Sequence, residues 1–204
     1  LTRTLVGNQI DYDILDYVNL DACKVEGGAL VTPSGERFTA IVIPRTKALE
    51  YETVDKLVEA VNGGVRVIMQ NTDDILSNTA GGQAELTQKL GQIRANPNCT
   101  EAQSVSAISD ALREMGVKSI VLEDDNRDIV AVKHKFKNNS VFMFVNTTSE
   151  NAKIKVRLNE VGEAYRQWDA YTGDVSAVSV LTEGEETIVE LSIPAYRCTF
   201  ITVE

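Results

Sequence analysis

The spacing of apolar residues changes character along the chain, and the change divides it. Up to about residue 124 the pattern alternates between helix and strand. Thr39-Ala-Ile-Val-Ile-Pro44 is a short apolar run closed by proline, as in a buried strand of a parallel sheet. Val54, Leu57, Val58 and Val61 follow at i, i+3, i+4 and i+7, one stripe of a helix that Asn62-Gly63-Gly64 stops. Val65 to Met69 predicts a second buried strand, so strand, helix and strand form a right-handed βαβ unit. A helix carrying Leu86, Leu90 and Ile93 ends before Asn96-Pro97-Asn98. The next is expected from about Thr100 to Met115: Thr100 and Gln103 form a capping box, Val105, Ile108, Leu112 and Met115 the stripe, and Gly116 the C-terminal cap. Val117 to Leu122 is expected to close this half as a strand. Glycines and a proline around Ala29-Leu-Val31 place a small hairpin ahead of the first parallel strand.

After the polar run 123–128, read as a linker, the helical period disappears. Val130, Val132, His134 and Phe136 alternate with Ala131, Lys133, Lys135 and Lys137, which predicts a half-buried strand with the first set inward. Asn138-Asn139 turns the chain into Val141-Phe-Met-Phe-Val145, apolar on both faces. Ile154, Val156 and Leu158 alternate with Lys153, Lys155 and Arg157, and Thr187, Val189, Leu191 and Ile193 do the same further on. Short strands with frequent turn signals predict an antiparallel β-sandwich. The expected domains are therefore residues 1–124, α/β, and residues 125–204, all-β.

The chain has 204 residues, 43% hydrophobic and 25% charged, which is globular rather than disordered or fibrous. A net charge of -10 repels phosphate and anionic headgroups, so neither nucleic acid nor a membrane surface is expected as a partner. Cys23, Cys99 and Cys198 are widely spaced and suggest neither a disulfide framework nor a zinc site; all three read as small buried residues. The first residue is not Met, which suggests a processed or excised piece.

Candidate chemistry is sparse. His134 is the single histidine, so a Ser-His-Asp or Cys-His mechanism has one available base, and its inward phase favours a structural role. The turn after Val65 to Met69 reads Gln70-Asn-Thr-Asp-Asp74, without the nucleophile an amidotransferase or hydrolase elbow requires. Thr79-Ala-Gly-Gly-Gln83 lacks the Lys and Ser/Thr of a P-loop and reads as a flexible loop. No metal or cofactor motif is found. Asp11, Asp13, Asp16 and Asp21 are the densest acidic cluster, but their spacing lacks the Gly and terminal Glu of a calcium loop. Trp168-Asp-Ala-Tyr-Thr-Gly173-Asp174 predicts a hairpin turn with Gly173 at positive φ and Trp168 buried in the sandwich; the alternative is that Tyr165, Trp168 and Tyr171 stack on sugar rings.

Several of these stretches together resemble a known module. Asp11-Tyr-Asp-Ile-Leu-Asp-Tyr-Val-Asn-Leu-Asp21, Leu30-Val-x-Pro-Ser-Gly35, Phe38-Thr-Ala-Ile-Val-Ile-Pro44 and Gly63-Gly-Val-Arg-Val-Ile68 are similar to the non-catalytic amidotransferase-like module of large bacterial glycoside hydrolases. These include the α-L-rhamnosidase type of family 106 and the β-galactosidase trimerisation domain. Phe142-Met-Phe-Val-Asn146-Thr, Trp168-Asp-Ala-x-Thr-Gly173 and Leu191-Ser-Ile-Pro194 resemble the β-sandwich that follows it. The resemblance implies a flavodoxin-like, class I glutamine amidotransferase-like doubly wound sheet followed by a small antiparallel sandwich. It also implies that the catalytic carboxylates lie in a TIM barrel elsewhere in the polypeptide, because nothing here is long enough to be one. The barrel is then the expected partner, with an oligosaccharide or a homo-oligomer as further ones, and the parent an exported enzyme. Asp11, Asp13, Asp16 and Asn19 become substrate-facing candidates, and no catalytic residue carries over. The reading is a scaffold fragment of a glycoside hydrolase. The alternatives are a carbohydrate-binding module and an autonomous enzyme joining His134 or a cysteine to a carboxylate.

Overall fold

The computed structural model describes residues 1–117, 120–124 and 126–204. It divides into two compact units, residues 13–117 and residues 1–12 with 118–204. The break in the chain thus comes earlier than the expected one at 124, and the first twelve residues group with the C-terminal half.

Helix α1 (Thr2–Gly7) is followed by Gln9 at φ +53, whose buried side-chain amide donates to the Gly7 carbonyl at 3.0 Å and the Ile129 carbonyl at 2.9 Å. Those bonds tie the turn to the β-rich unit.

In the unit of residues 13–117, α2 (Tyr17–Ala22) leads into β1 (Lys24–Glu26), β2 (Ala29–Val31) and β3 (Arg37–Phe38), a small antiparallel sheet. The β1–β2 turn needs positive φ at both central residues, and Gly27 and Gly28 supply +58 and +73. Next come β4 (Ala40–Ile43), β5 (Ala48–Leu49), α3 (Tyr51–Asn62), β6 (Arg66–Gln70), β7 (Leu76–Ser77), α4 (Gln83–Arg94), β8 (Cys99–Ala102) and α5 (Val105–Glu114). Strands β4, β6 and β8 make a parallel sheet in that order, and β5 pairs with β7. The α3 stripe of Val54, Leu57 and Val61 and the α4 stripe of Leu86, Leu90 and Ile93 share one core with Val67 and Met69 of β6. Ile68 points to the opposite face by strand alternation, and α5 packs on β6 and β8 with Ile108 and Leu112 buried.

The expected capping box at Thr100 and Gln103 is not there. Residues 99–102 pair with β6 instead, and α5 is capped by Ser104, whose Oγ accepts from Ala107 N–H at 3.1 Å. A third parallel strand satisfies more backbone than an extra helical turn would, and the local signal yields to it. Gly116 does terminate the helix, at φ +69.

The other unit contains β9 (Ile120–Leu122), β10 (Ile129–Lys135), β11 (Ser140–Asn146), β12 (Ala152–Leu158), β13 (Tyr165–Asp169), β14 (Val175–Ala177), β15 (Val180–Glu183), β16 (Glu186–Ile193) and β17 (Cys198–Val203). Two antiparallel sheets, ordered β10-β11-β17-β13-β14 and β15-β16-β12-β9, contribute to one core, with Phe142, Phe144, Val156, Val189 and Ile201 wholly buried. The strand expected at 117–122 is realised at 120–122, where it pairs with β12 rather than closing the α/β half; residues 118 and 119 lie outside the described residues. The expected linker 123–128 includes residue 125, also outside them; Glu123 in that run reaches both Lys155 and Arg157.

Two orientations differ from expectation. In β10 the inward residues are Ile129 and Ala131, while Val130 and Val132 are half-buried and His134 is exposed. In β13 the inward position belongs to Tyr165, and three residues of alternation turn Trp168 outward, leaving it 41% exposed. Among the described residues no helix is long and apolar enough to cross a membrane.

Candidate functional site

The α/β unit contains a recess of about 230 Å³, walled by Leu15, Leu20, Phe38 and Ile43, with Asp13 and Thr53 supplying polar side chains. The wall draws on the segment before α2, on α2, on β2 to β5 and on α3, so it is assembled across the fold rather than by one motif. It lies along β4, whose last residue, Ile43, is among its lining together with Pro44 just beyond it. In a parallel sheet that end of the strands is where ligands are usually held.

The acidic cluster is largely spent on local structure. Asp16 is the N-cap of α2, its Oδ1 accepting from Asn19 N–H at 2.9 Å, and Asp11 Oδ1 accepts from Tyr12 N–H at 3.0 Å. The Asn19 carbonyl accepts from the Cys23 thiol at 3.1 Å, and burial pushes that thiol up from its usual pKa. Asp13 is the one candidate acid that lines the recess, and Asp11 belongs to the other unit.

The aromatic candidates separate. Tyr165 is in the core, its hydroxyl accepting from Gly162 N–H at 2.8 Å and sharing a hydrogen bond with Thr187 at 2.8 Å, so it presents no ring to a sugar. Trp168 lies on the outer face and its indole N–H donates to Thr202 Oγ1 at 3.1 Å, which fixes the ring. Tyr171 is exposed, with the Arg197 guanidinium 3.8 Å from its ring centroid. The turn between them is built by Asp169, whose carboxylate accepts from the backbone of Tyr171 and Thr172 and is held below its usual range by those bonds; Gly173 takes φ +76.

His134 is exposed on β10, Cys99 lies on β8 and Cys198 on β17. Cys23 is in the α/β core, whereas Cys99 and Cys198 are only half-buried. Among the described residues no group of three His, Cys, Asp or Glu side chains is arranged to hold a metal ion. The Thr79 to Gln83 loop is braced from within: Gln83 accepts from Ser77 N–H at 2.9 Å and donates to the Ile75 carbonyl at 3.0 Å.

Two polar clusters have no counterpart in the motifs. On α3 and α4, Lys89 binds Asp55 at 2.6 Å and Glu85 at 3.0 Å, donates to the Tyr51 hydroxyl at 2.6 Å and lies 4.1 Å from that ring's centroid; Tyr51 also donates to Glu85. These carboxylates and the tyrosine raise the Lys89 pKa, so its ammonium is a locked cation, not a base. Only the Glu85 to Lys89 spacing, i to i+4, is visible in sequence. In the β-rich unit, Glu160 accepts from Ser140 at 2.7 Å and pairs with Lys133 at 2.5 Å, with Lys133 5.1 Å from the Phe142 ring centroid. Nothing in the local sequence signals a contact between residues this far apart.

Comparison with known proteins finds that the glycoside hydrolase 106 family model, described as α-L-rhamnosidase, matches residues 4–182. A curated protein of Formosa agariphila named "Putative beta-glucuronidase" is 22% identical over 174 residues, covering 83% of this chain and 15% of its own length. The rhamnosidase from Novosphingobium sp. PP1Y superposes with a TM-score of 0.78 at 21% identity, over 94% of this chain and 19% of the rhamnosidase. The α-L-fucosidase isoenzyme 2 of Paenibacillus thiaminolyticus gives 0.59 at 8% identity, over 99% of this chain and 44% of the fucosidase. At such identities the structural likenesses concern the fold. The chain spans less than a fifth of the glucuronidase-named protein and of the rhamnosidase.

Proposed function

We propose, from the premise that this chain belongs to the α-L-rhamnosidase family, glycoside hydrolase 106, that it is a non-catalytic accessory region of a larger carbohydrate-degrading enzyme. In this reading residues 13–117 act as a flavodoxin-like, amidotransferase-type scaffold and the two antiparallel sheets of the other unit as a β-sandwich. Hydrolysis is carried out by a TIM barrel elsewhere in the polypeptide. The observation that carries the reading is the lining of the recess. Glycoside hydrolysis requires two carboxyl groups about 5–10 Å apart, and Asp13 is the single carboxylate among the lining residues.

The segment carrying Asp11, Asp13, Asp16 and Asn19 then faces the barrel, where its exposed carboxylates shape the substrate cleft and do not enter the reaction. The exposed rings of Trp168 and Tyr171 offer stacking faces for a sugar of the same glycan; Tyr165 does not. The test is hydrolysis of aryl α-L-rhamnosides and aryl β-glucuronides by residues 1–204 alone and by a longer polypeptide carrying the flanking sequence. The expected result is turnover by the longer protein and none by residues 1–204. Turnover by residues 1–204 that is abolished by Asp13→Asn refutes the proposal.

A further inference from the structure

The end of the β13–β17 ladder carries a guanidinium that the fold does not use. Beyond Asp169 and Thr199, the last pair of that ladder, the register brings Tyr171 opposite Arg197. The Arg197 guanidinium carbon lies 3.8 Å from the Tyr171 ring centroid. At that separation it lies flat on the ring, since an edge-on approach would drive a nitrogen into the π cloud. Stacked so, its N–H groups point sideways, parallel to the ring plane. Apart from this contact the side chain makes no hydrogen bond or ion pair among the described residues, and it is exposed.

Both sides of the stack are held in place. Tyr171 sits in the turn built by Asp169, whose carboxylate accepts from Tyr171 N–H at 2.7 Å and Thr172 N–H at 3.1 Å. Asp174 accepts from the Thr172 hydroxyl at 2.8 Å, so both acids of this hairpin are engaged by their own turn. Arg197 ends a tight turn from Pro194: its N–H donates to the Pro194 carbonyl at 3.2 Å, and its carbonyl accepts from Asn146 N–H at 2.9 Å. Within that turn Tyr196 takes φ +55, which a residue with a Cβ rarely adopts, and its N–H donates to the Thr148 carbonyl at 3.0 Å. The Tyr196 ring is 67% exposed, so no burial offsets the strain. What the kink does is carry the chain into β17 with Arg197 over Tyr171; backbone strain of this kind collects at ligand-binding sites.

We infer that Arg197, Tyr171 and Tyr196 form a subsite for the carboxylate of a uronic acid within a glycan. A guanidinium fork pairs with a carboxylate through two parallel bonds, and exposed tyrosine rings present apolar faces to the C–H face of a sugar. Trp168 cannot make this distinction. Its indole N–H is spent on Thr202, which leaves a ring that takes neutral and acidic sugars alike. The net charge of -10 opposes an anionic ligand. Charges more than about 10 Å away are screened at about 0.1 M salt, however, so the guanidinium in contact decides. The inference rests on the reading of this chain as part of a carbohydrate-degrading enzyme and narrows the ligand to an acidic sugar.

NMR titration of isotope-labelled residues 1–204 at about 0.1 M salt tests this. The probes are a panel of galacturonate and glucuronate oligosaccharides, their uncharged methyl esters, and sulfated galacto-oligosaccharides. A uronate of the panel should shift the Arg197 Nε–H and Tyr171 signals saturably and bind about 10-fold more tightly than its methyl ester. Arg197→Ala should weaken that binding by about 10-fold, and Arg197→Lys, which keeps the charge but not the fork, by about 5-fold. Both variants should keep the melting midpoint within about 2 °C of wild type, as expected for an exposed side chain. Equal affinity for uronates and their methyl esters overturns the inference, as does tighter binding of the sulfated sugars. Full uronate binding by Arg197→Ala, or no saturable shift at Arg197 with any uronate of the panel, overturns it equally. Turnover does not enter: hydrolysis by residues 1–204 would end the accessory reading and leave the subsite standing, whereas failure to bind uronates removes the subsite alone.

Discussion

Replacing Glu160 by Gln keeps the side-chain volume but removes the charge opposite Lys133. In the wild type the two side chains are 19% and 18% exposed, with N and O 2.5 Å apart, and Ser140 donates to the same carboxylate. A fully exposed pair contributes about 0–1 kcal/mol, and breaking a fully buried one costs about 3–5 kcal/mol because an uncompensated charge remains. This pair lies between those limits, so Glu160→Gln should cost about 2–3 kcal/mol. At ~2–4 °C per kcal/mol for a chain of this size, the melting midpoint falls by roughly 4–12 °C. Burial raises the Glu160 pKa, but Lys133 and Ser140 outweigh it and hold the carboxyl below its ordinary value. A depressed carboxyl pKa contributes stability above the unfolded-state value of about 4.3, and that stability is lost as pH falls through the folded-state value. Thermal melts from pH 7 to pH 3 should show a shallower acid decline in Glu160→Gln than in wild type. The double variant Lys133→Met with Glu160→Gln should be no less stable than Glu160→Gln alone, because it removes the stranded ammonium. A midpoint change below about 1 °C, or superimposable pH profiles, refutes the argument that this largely shielded pair stabilises the fold.

Two other substitutions probe single features. Ser104→Ala removes the cap of α5 and should cost about 1 kcal/mol in denaturant unfolding, while Thr100→Ala, expected from sequence to be the larger loss, should cost less. Gly162→Ala places a methyl 2.5 Å from the Glu204 carbonyl and 2.5 Å from Val203 Cγ1; because a backbone atom must give way, a loss of about 1–3 kcal/mol is expected by the same measurement.

The chain's own pattern determined the elements wherever one face is clearly apolar and the other polar. The α3 stripe through Val54, Leu57 and Val61, the alternation of Ile154, Val156 and Leu158, and the turns at Gly27, Gly28 and Gly173 are local facts, set by side-chain period and by the φ that only glycine adopts freely. What lay beyond local reach was any choice between two locally acceptable answers. Both faces of β10 begin with apolar residues, so Val130 and Val132 could have faced inward as well as Ile129 and Ala131; cross-strand partners in β11, with Phe142 and Phe144 buried, decided the phase and left His134 in solvent. Residues 99–102 could open a helix or continue a sheet, and the partner strand β6 chose. Residues 120–122 read as a strand, but only pairing with β12 assigned them to a unit. The recess was invisible for the same reason: its walls come from residues as far apart as Asp13 and Leu57. A periodic pattern records which face a residue prefers, whereas its neighbour on that face is set by contacts between segments distant in the chain.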